Sequence, residues 1–164
     1  MAQRIKSEFD ARAQQVAQAE EARAKEARVR EQRMTKFNEV CVELHALIQP
    51  RIDTFAKAFG EQVRIVPTIT PAERSVTVAF LTDLADVTLT VRMFPDRDIT
   101  GLVLEYDLLI IPIYFDYERH ARLEMPLDKI DGDAIAGWLD DRIVSCVKSY
   151  LAMQDNEHYR RCRR

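Results

Sequence analysis

The sequence predicts a two-layer α+β fold: an antiparallel sheet of four or five strands in meander order, covered on one face by two helices, with a helical arm in front. Three observations carry this. Apolar residues recur at helical spacing over 34–59 and again over 135–153, whereas between these stretches the period falls to two. The strand-like runs follow one another through short connections, and parallel strands would need crossovers of about a dozen residues. Residues 1–33 are rich in Ala, Gln, Glu and Arg and contain neither Gly nor Pro.

The arm, residues 1–33, is helical by propensity and has little to bury. Glu8 with Arg12, Glu21 with Lys25 and Glu26 with Arg30 are i,i+4 pairs in the favourable acid-first order. Its apolar side chains are Ile5, Phe9, Val16 and Val29, too sparse for the seam of a long coiled coil. From Met34 the pattern thickens: Met34, Phe37, Cys41, Leu44, Ile48, Ile52, Phe55 and Phe59 form one helical stripe, with Gly60 as the stop. Pro50 lies off that stripe and allows two readings, a kink near 46–50 or a second helix starting at Pro50.

The strands are read at 62–70, 75–82, 87–94, within 99–115, and at 120–125, separated by PAER, DLAD and PDRD turns. Pro112 marks an edge, bulge or break in the long fourth run. Asp131 then caps the closing helix, whose buried face is read as Ile135, Trp138, Leu139, Ile143, Val147, Tyr150 and Leu151. The domain plan is an arm (1–33), an α+β domain (34–159) and a basic tail (160–164).

Composition narrows function. With 164 residues, 47% hydrophobic and 31% charged, the chain can build one packed domain and is not globally disordered. The formal charge of −3 divides into +2 over residues 1–60, −9 over 61–159, and +4 in the last five residues. An acidic body is a poor nucleic-acid binder, and the arginine tip supplies only salt-sensitive, sequence-independent attraction. No apolar run reaches the ~18 residues of a membrane span. The start, MAQRIKSEFDARAQQ, lacks the apolar core of a secretory signal, and three scattered cysteines make no disulfide framework, so a cytoplasmic location is expected.

Reactive constellations are sparse. Cys41 with His45 and His158 with Cys162 have the composition of a Cys2His2 zinc site, but Cys41 belongs to the apolar stripe and neither half has tight ligand spacing. No metal or cofactor is therefore expected. The polar stretch 115–120, with Asp116, Glu118, Arg119 and His120, reads as a charged turn rather than an acid–base site. There is no GxSxG, no HExxH and no glycine cluster for a phosphate, so an enzyme is not expected.

The stretch PLDKID, AGWLDDRIVSCVKSYL and DNEHY, within residues 115–159, resembles a segment of uncharacterised bacterial proteins. There a similar terminal helix and Asn-Glu-aromatic segment run on into a small YHS-type domain. Here the chain ends at Arg164, and no role of that module carries over. The resemblance implies a helix–sheet–helix unit and no activity.

The functional expectation is a non-enzymatic interaction or scaffold protein, self-associating as a homo-oligomer through its arm or its sheet, with Ile5, Phe9 and Val16 as contact residues. The alternative is a small apolar-ligand binder whose pocket, between sheet and helices, is walled by Phe80, Met93, Tyr106, Tyr114 and Trp138.

Overall fold

The computed structural model describes residues 1–162, so Arg163 and Arg164 of the basic tail lie outside the described residues. Its order is helix α1 (Ala2–Phe59), a 3₁₀ turn (Gly60–Gln62), strands β1 (Val63–Thr70), β2 (Glu73–Phe80), β3 (Asp86–Pro95), β4 (Gly101–Ile111) and β5 (His120–Pro126), then helices α2 (Gly132–Asp155) and α3 (Glu157–Arg161). The five strands pair antiparallel in sequence order, β1-β2-β3-β4-β5. This is the α+β two-layer meander.

Arm and core helix are one continuous rod of 58 residues, about 87 Å long at 1.5 Å per residue. Every residue from Met1 to Arg33 is exposed, and burial begins at Met34 and Phe37. Helix α1 runs unbroken through Pro50, which removes the two-helix reading. A helical proline loosens the carbonyls one turn back. Beside it, Arg51 Nη1 donates to the Leu47 carbonyl at 2.7 Å while Nε and Nη2 hold Asp140 of α2 at 2.7 and 3.3 Å. The residue after the proline thus ties the two core helices together.

The core has two lobes. One gathers Phe55, Val78, Phe80, Leu89, Tyr106, Ile110, Cys146, Tyr150, Met153 and Tyr159; the other gathers Phe37, Cys41, Leu44, Met93, Ile99, Leu102, Leu104, Leu127 and Ile135. Trp138 packs on both. On α2 the buried face turns slightly from the one expected: Cys146, Ser149 and Met153 are inside, whereas Leu151 is exposed. The stripe 135, 139, 146, 150, 153 keeps helical spacing, and Leu151 sits one residue round from Tyr150.

The basic tail is not loose up to Arg161. Asn156 caps α3 by accepting the His158 N–H at 2.9 Å, and Tyr159 is fully buried. Its hydroxyl donates to the Pro112 carbonyl at 2.6 Å and accepts the Tyr114 N–H at 3.2 Å, pinning the chain end to the exit of β4. None of the three acid-first arm pairs closes to an ion pair among the described residues; the arm relies on helix propensity, with Arg33 at its base donating to the Asp98 carbonyl at 3.0 Å. Its first turn has no side-chain cap and no acidic residue, and carries Arg4 at the positive end of the helix dipole.

The β3–β4 turn is built on Asp96. Its carboxylate accepts the Thr100 N–H at 2.7 Å and the Thr100 hydroxyl at 3.0 Å, and Ile99 sits at φ 56° with its side chain buried. Desolvation raises the Asp96 carboxyl pKa, but the bonds from Gly101, Thr100 and Ile99 outweigh it, so the net value lies below the ordinary 3.8. A depressed carboxyl stabilises the fold above the unfolded pKa, and that contribution is lost as pH falls through the folded value. We expect Asp96→Asn to flatten the acid side of the stability curve while keeping the fold. Urea unfolding at pH 7 and pH 3 checks this; equal acid losses in both proteins would show that Asp96 does not carry it.

Candidate functional site

Two surfaces are left uncovered by the fold: the arm, and the sheet face opposite the helices. On the arm, Phe9 is 71% exposed, with Ile5 and Val16 half exposed. At about 100° per residue, Ile5 and Val16 lie within about 60° of the centre of the α1 face that farther along buries Phe37, Cys41, Leu44 and Phe55, and Phe9 lies about 80° from it. The arm thus carries a thinner apolar stripe, turned partly round the helix from the core stripe.

The open sheet face follows from register. Leu102, Leu104, Tyr106, Leu108 and Ile110 of β4 point toward the helices, so Glu105 and Asp107 point away. Two cross-strand rows result. Ser75, Arg92, Glu105 and Arg122 lie in one, and Val66, Thr77, Thr90, Asp107 and His120 in the next. Glu105 is only 8% exposed although it lies on the uncovered face, because the Arg92 and Arg122 guanidinium groups close over it at 2.6 and 3.1 Å. Arg92 reaches Asp107 at 3.4 Å, and Asp107 holds His120 Nδ1 at 2.7 Å. The strip is an interlocked ion network with little net charge, its one buried carboxylate held by two arginines, and it is suited to matching another polar surface.

Beneath the sheet, Tyr106 meets Cys146, Arg142 and Glu118. Arg142 Nη1 donates to Glu118 Oε1 at 2.5 Å, so the charged turn at 115–120 is anchored on α2 through Glu118. Tyr117 is anchored as well, its hydroxyl accepting the Ile110 N–H at 2.8 Å. Burial pushes the Cys146 thiol up to about 12 and the Tyr106 hydroxyl higher still, so neither is a nucleophile near neutral pH. The Tyr106 hydroxyl faces the Cys146 thiol but forms no hydrogen bond of normal geometry. An unpaired buried hydroxyl destabilises, so we expect Tyr106→Phe to leave stability unchanged or raise it by about 1 kcal/mol. Thermal melts check this; a loss above that size would show that the hydroxyl is partnered.

The residues singled out in the sequence are scattered. Cys41 is buried in one core lobe, its thiol raised to about 11 by burial, and His45 on the same helix is exposed. His158 packs its ring on Tyr114, and the Cys162 sulfur lies 3.9 Å from the Tyr114 hydroxyl. No group of three His, Cys, Asp or Glu converges as a metal site among the described residues.

The five suggested pocket walls do not line one hollow either. Phe80 and Tyr106 belong to one core lobe, Met93 to the other, Trp138 packs on both, and Tyr114 sits half exposed beside Tyr159. A groove of about 550 Å³ lies elsewhere, where Arg33 and Lys36 of α1 face the β3–β4 turn and the end of β5. It is open to solvent and is lined by Asp96, Glu124 and Asp128 as well as by Ile99 and Leu127.

The buried Glu105 and the ion network around it escaped the sequence reading. The alternation of LVLEYDL did place Glu105 and Asp107 opposite Leu104 and Tyr106, but their arginine partners come from β3 and β5, and only register brings them there. No family model matches the chain, and no curated protein or solved structure matches it. Among the described residues no helix is long and apolar enough to cross a membrane.

Proposed function

We propose that the protein is a non-enzymatic interaction or scaffold protein that self-associates through its helical arm. The observation carrying this reading is the uncovered stripe of Ile5, Phe9 and Val16 on a limb of the core helix whose residues 1–33 are all exposed, with Arg33 at its base donating to the Asp98 carbonyl at 3.0 Å. Helices in water draw most of their stability from packing one face, and a limb with an uncapped, unpaired first turn gains order by lying against a neighbour. Burying three such side chains supplies on the order of 5 kcal/mol before the entropy of association, so the contact is modest. The open polar sheet face adds a second surface of the kind that sets specificity more than affinity.

Sedimentation of the intact chain and of a chain beginning at Thr35 tests the reading. Concentration-dependent association that disappears with the arm is the expected result. Monomers in both cases at all accessible concentrations overturn it.

A further inference from the structure

We propose that β5 is a docking edge for a second copy of this chain, the two β5 strands pairing antiparallel about Leu123 into one continuous sheet. This goes beyond the arm reading and holds whether or not the arm associates.

The meander leaves two edges, and they are not alike. On β1, the bond from Leu81 N–H to the Gln62 carbonyl at 2.7 Å sets the phase, so Ile65, Pro67 and Ile69 turn their backbone groups away from β2. Pro67 sits in the middle of that outward row and has no N–H to donate, which blunts the edge. On β5, the bonds from Leu108 N–H to the Arg119 carbonyl at 2.8 Å and from Leu127 N–H to the Thr100 carbonyl at 2.9 Å set the phase. Ala121, Leu123 and Met125 therefore bond to β4, while Arg122 and Glu124 point both backbone groups outward. Among the described residues those groups have no backbone partner. No proline interrupts this row before its last residue, Pro126.

The order Ala-Arg-Leu-Glu-Met is also complementary to itself. Within one chain Arg122 Nε holds Glu124 Oε1 at 2.5 Å, and with the two-fold axis at Leu123 Arg122 lies opposite the partner's Glu124 and Glu124 opposite the partner's Arg122, so pairing would join the two internal ion pairs into one cluster of alternating charge. Ala121 then lies opposite the partner's Met125. Each Arg–Glu position is a hydrogen-bonded pair, because both residues face outward, so backbone and side-chain matching demand the same register. Slipping by one residue per strand would set Arg122 against the partner's Arg122, or Glu124 against the partner's Glu124, and like charges directly opposite repel. The half-buried Ala121, Leu123 and Met125 point to the helix side, so pairing continues the core across the junction. A seven-residue edge by itself is smaller than a standard interface, and the association is expected to depend on concentration in the micromolar range.

Residue-resolved amide exchange on the intact chain, at dilute and concentrated ends of its association curve, tests the proposal without a substitution. In dilute protein the Ala121 and Leu123 amides are protected and those of Arg122 and Glu124 are not. In concentrated protein all four are expected to be slow, with Arg122 and Glu124 slowed about tenfold or more. Glu124→Lys is expected to weaken association about tenfold, and mixing it with Arg122→Glu to restore a heterodimer, since the opposite charges then meet again. Should Arg122→Glu fail to fold for want of the Glu105 contact, the exchange pattern of the unaltered chain still decides.

Fast Arg122 and Glu124 amides at concentrations where the chain sediments as a dimer overturn the β5 edge and leave the arm standing. Slow ones that persist in Phe9→Ser support the edge independently of the arm, and a chain beginning at Thr35 that associates as strongly as the intact chain overturns the arm and leaves the edge. A chain that stays monomeric throughout overturns both.

Discussion

Tyr159→Ala is expected to lower the unfolding free energy by about 3–5 kcal/mol, the usual cost of truncating a fully buried aromatic. Tyr159 has no exposed surface, and its ring packs against Tyr114 at 4.8 Å and Phe115 at 6.2 Å between centroids. Its hydroxyl closes the gap between α3 and the end of β4 through two backbone bonds. Tyr159→Phe keeps the ring and removes only those bonds, leaving the Pro112 carbonyl and the Tyr114 N–H to find water, and is expected to cost about 1–2 kcal/mol. Urea unfolding followed by circular dichroism measures both. If the alanine variant loses less than about 1 kcal/mol, the terminal helix is not docked in solution and the fold ends at α2.

Changing Ile5, Phe9 and Val16 together to Ser is expected to weaken self-association at least tenfold while leaving the melting temperature of the monomer nearly unchanged. The two halves of this expectation have different causes. All three side chains are exposed in the single chain, and exposed substitutions away from special features usually shift stability by no more than about 0.5 kcal/mol. In an associated form they are the apolar surface of the arm that leaves water, and even a fraction of the on the order of 5 kcal/mol they carry exceeds the ~1.4 kcal/mol of a tenfold change. Sedimentation equilibrium and a thermal melt on the same samples separate the effects. An unchanged association constant would remove the arm as the contact, and a large drop in melting temperature would mean that the arm packs on its own body.

Much of the architecture was legible because it depends on near neighbours in sequence. Alternation at Val76, Val78 and Phe80, and at Val87, Leu89, Val91 and Met93, marks strands whose one face is apolar, and short polar turns between them leave only antiparallel pairing. The stripe from Phe37 to Phe55 marks the core helix for the same reason. Where the reading slipped, a long-range contact decided. Pro50 allows a break or a continuous helix locally; the structure has the continuous form, with Ile52 and Phe55 beyond the proline buried in the core. Leu151 and Cys146 both fit an apolar face on α2, and the sheet selects Cys146 because Tyr106 and Tyr150 pack where it points. The burial of Tyr159, the last residue of the expected domain, rests on Pro112 and Tyr114, 47 and 45 positions away.

The candidate surfaces divide in the same way. Ile5, Phe9 and Val16 stood out as apolar residues in a polar helix, and their exposure in the single chain follows from having no sheet beside them. The ion network around Glu105 and the outward groups of Arg122 and Glu124 were hidden, since a charge in a strand shows which face it occupies and not what stands across from it.

By itself the sequence determined the helices, the strands, their antiparallel order and the polar limb, because periodicity and turn chemistry are properties of a few adjacent residues. Only the tertiary structure decided which residues border the buried face of α2, where the chain end docks, how Glu105 is paired and which sheet edge is left open. Those depend on strand register and helix rotation, and a single residue of either moves a side chain from the core to water.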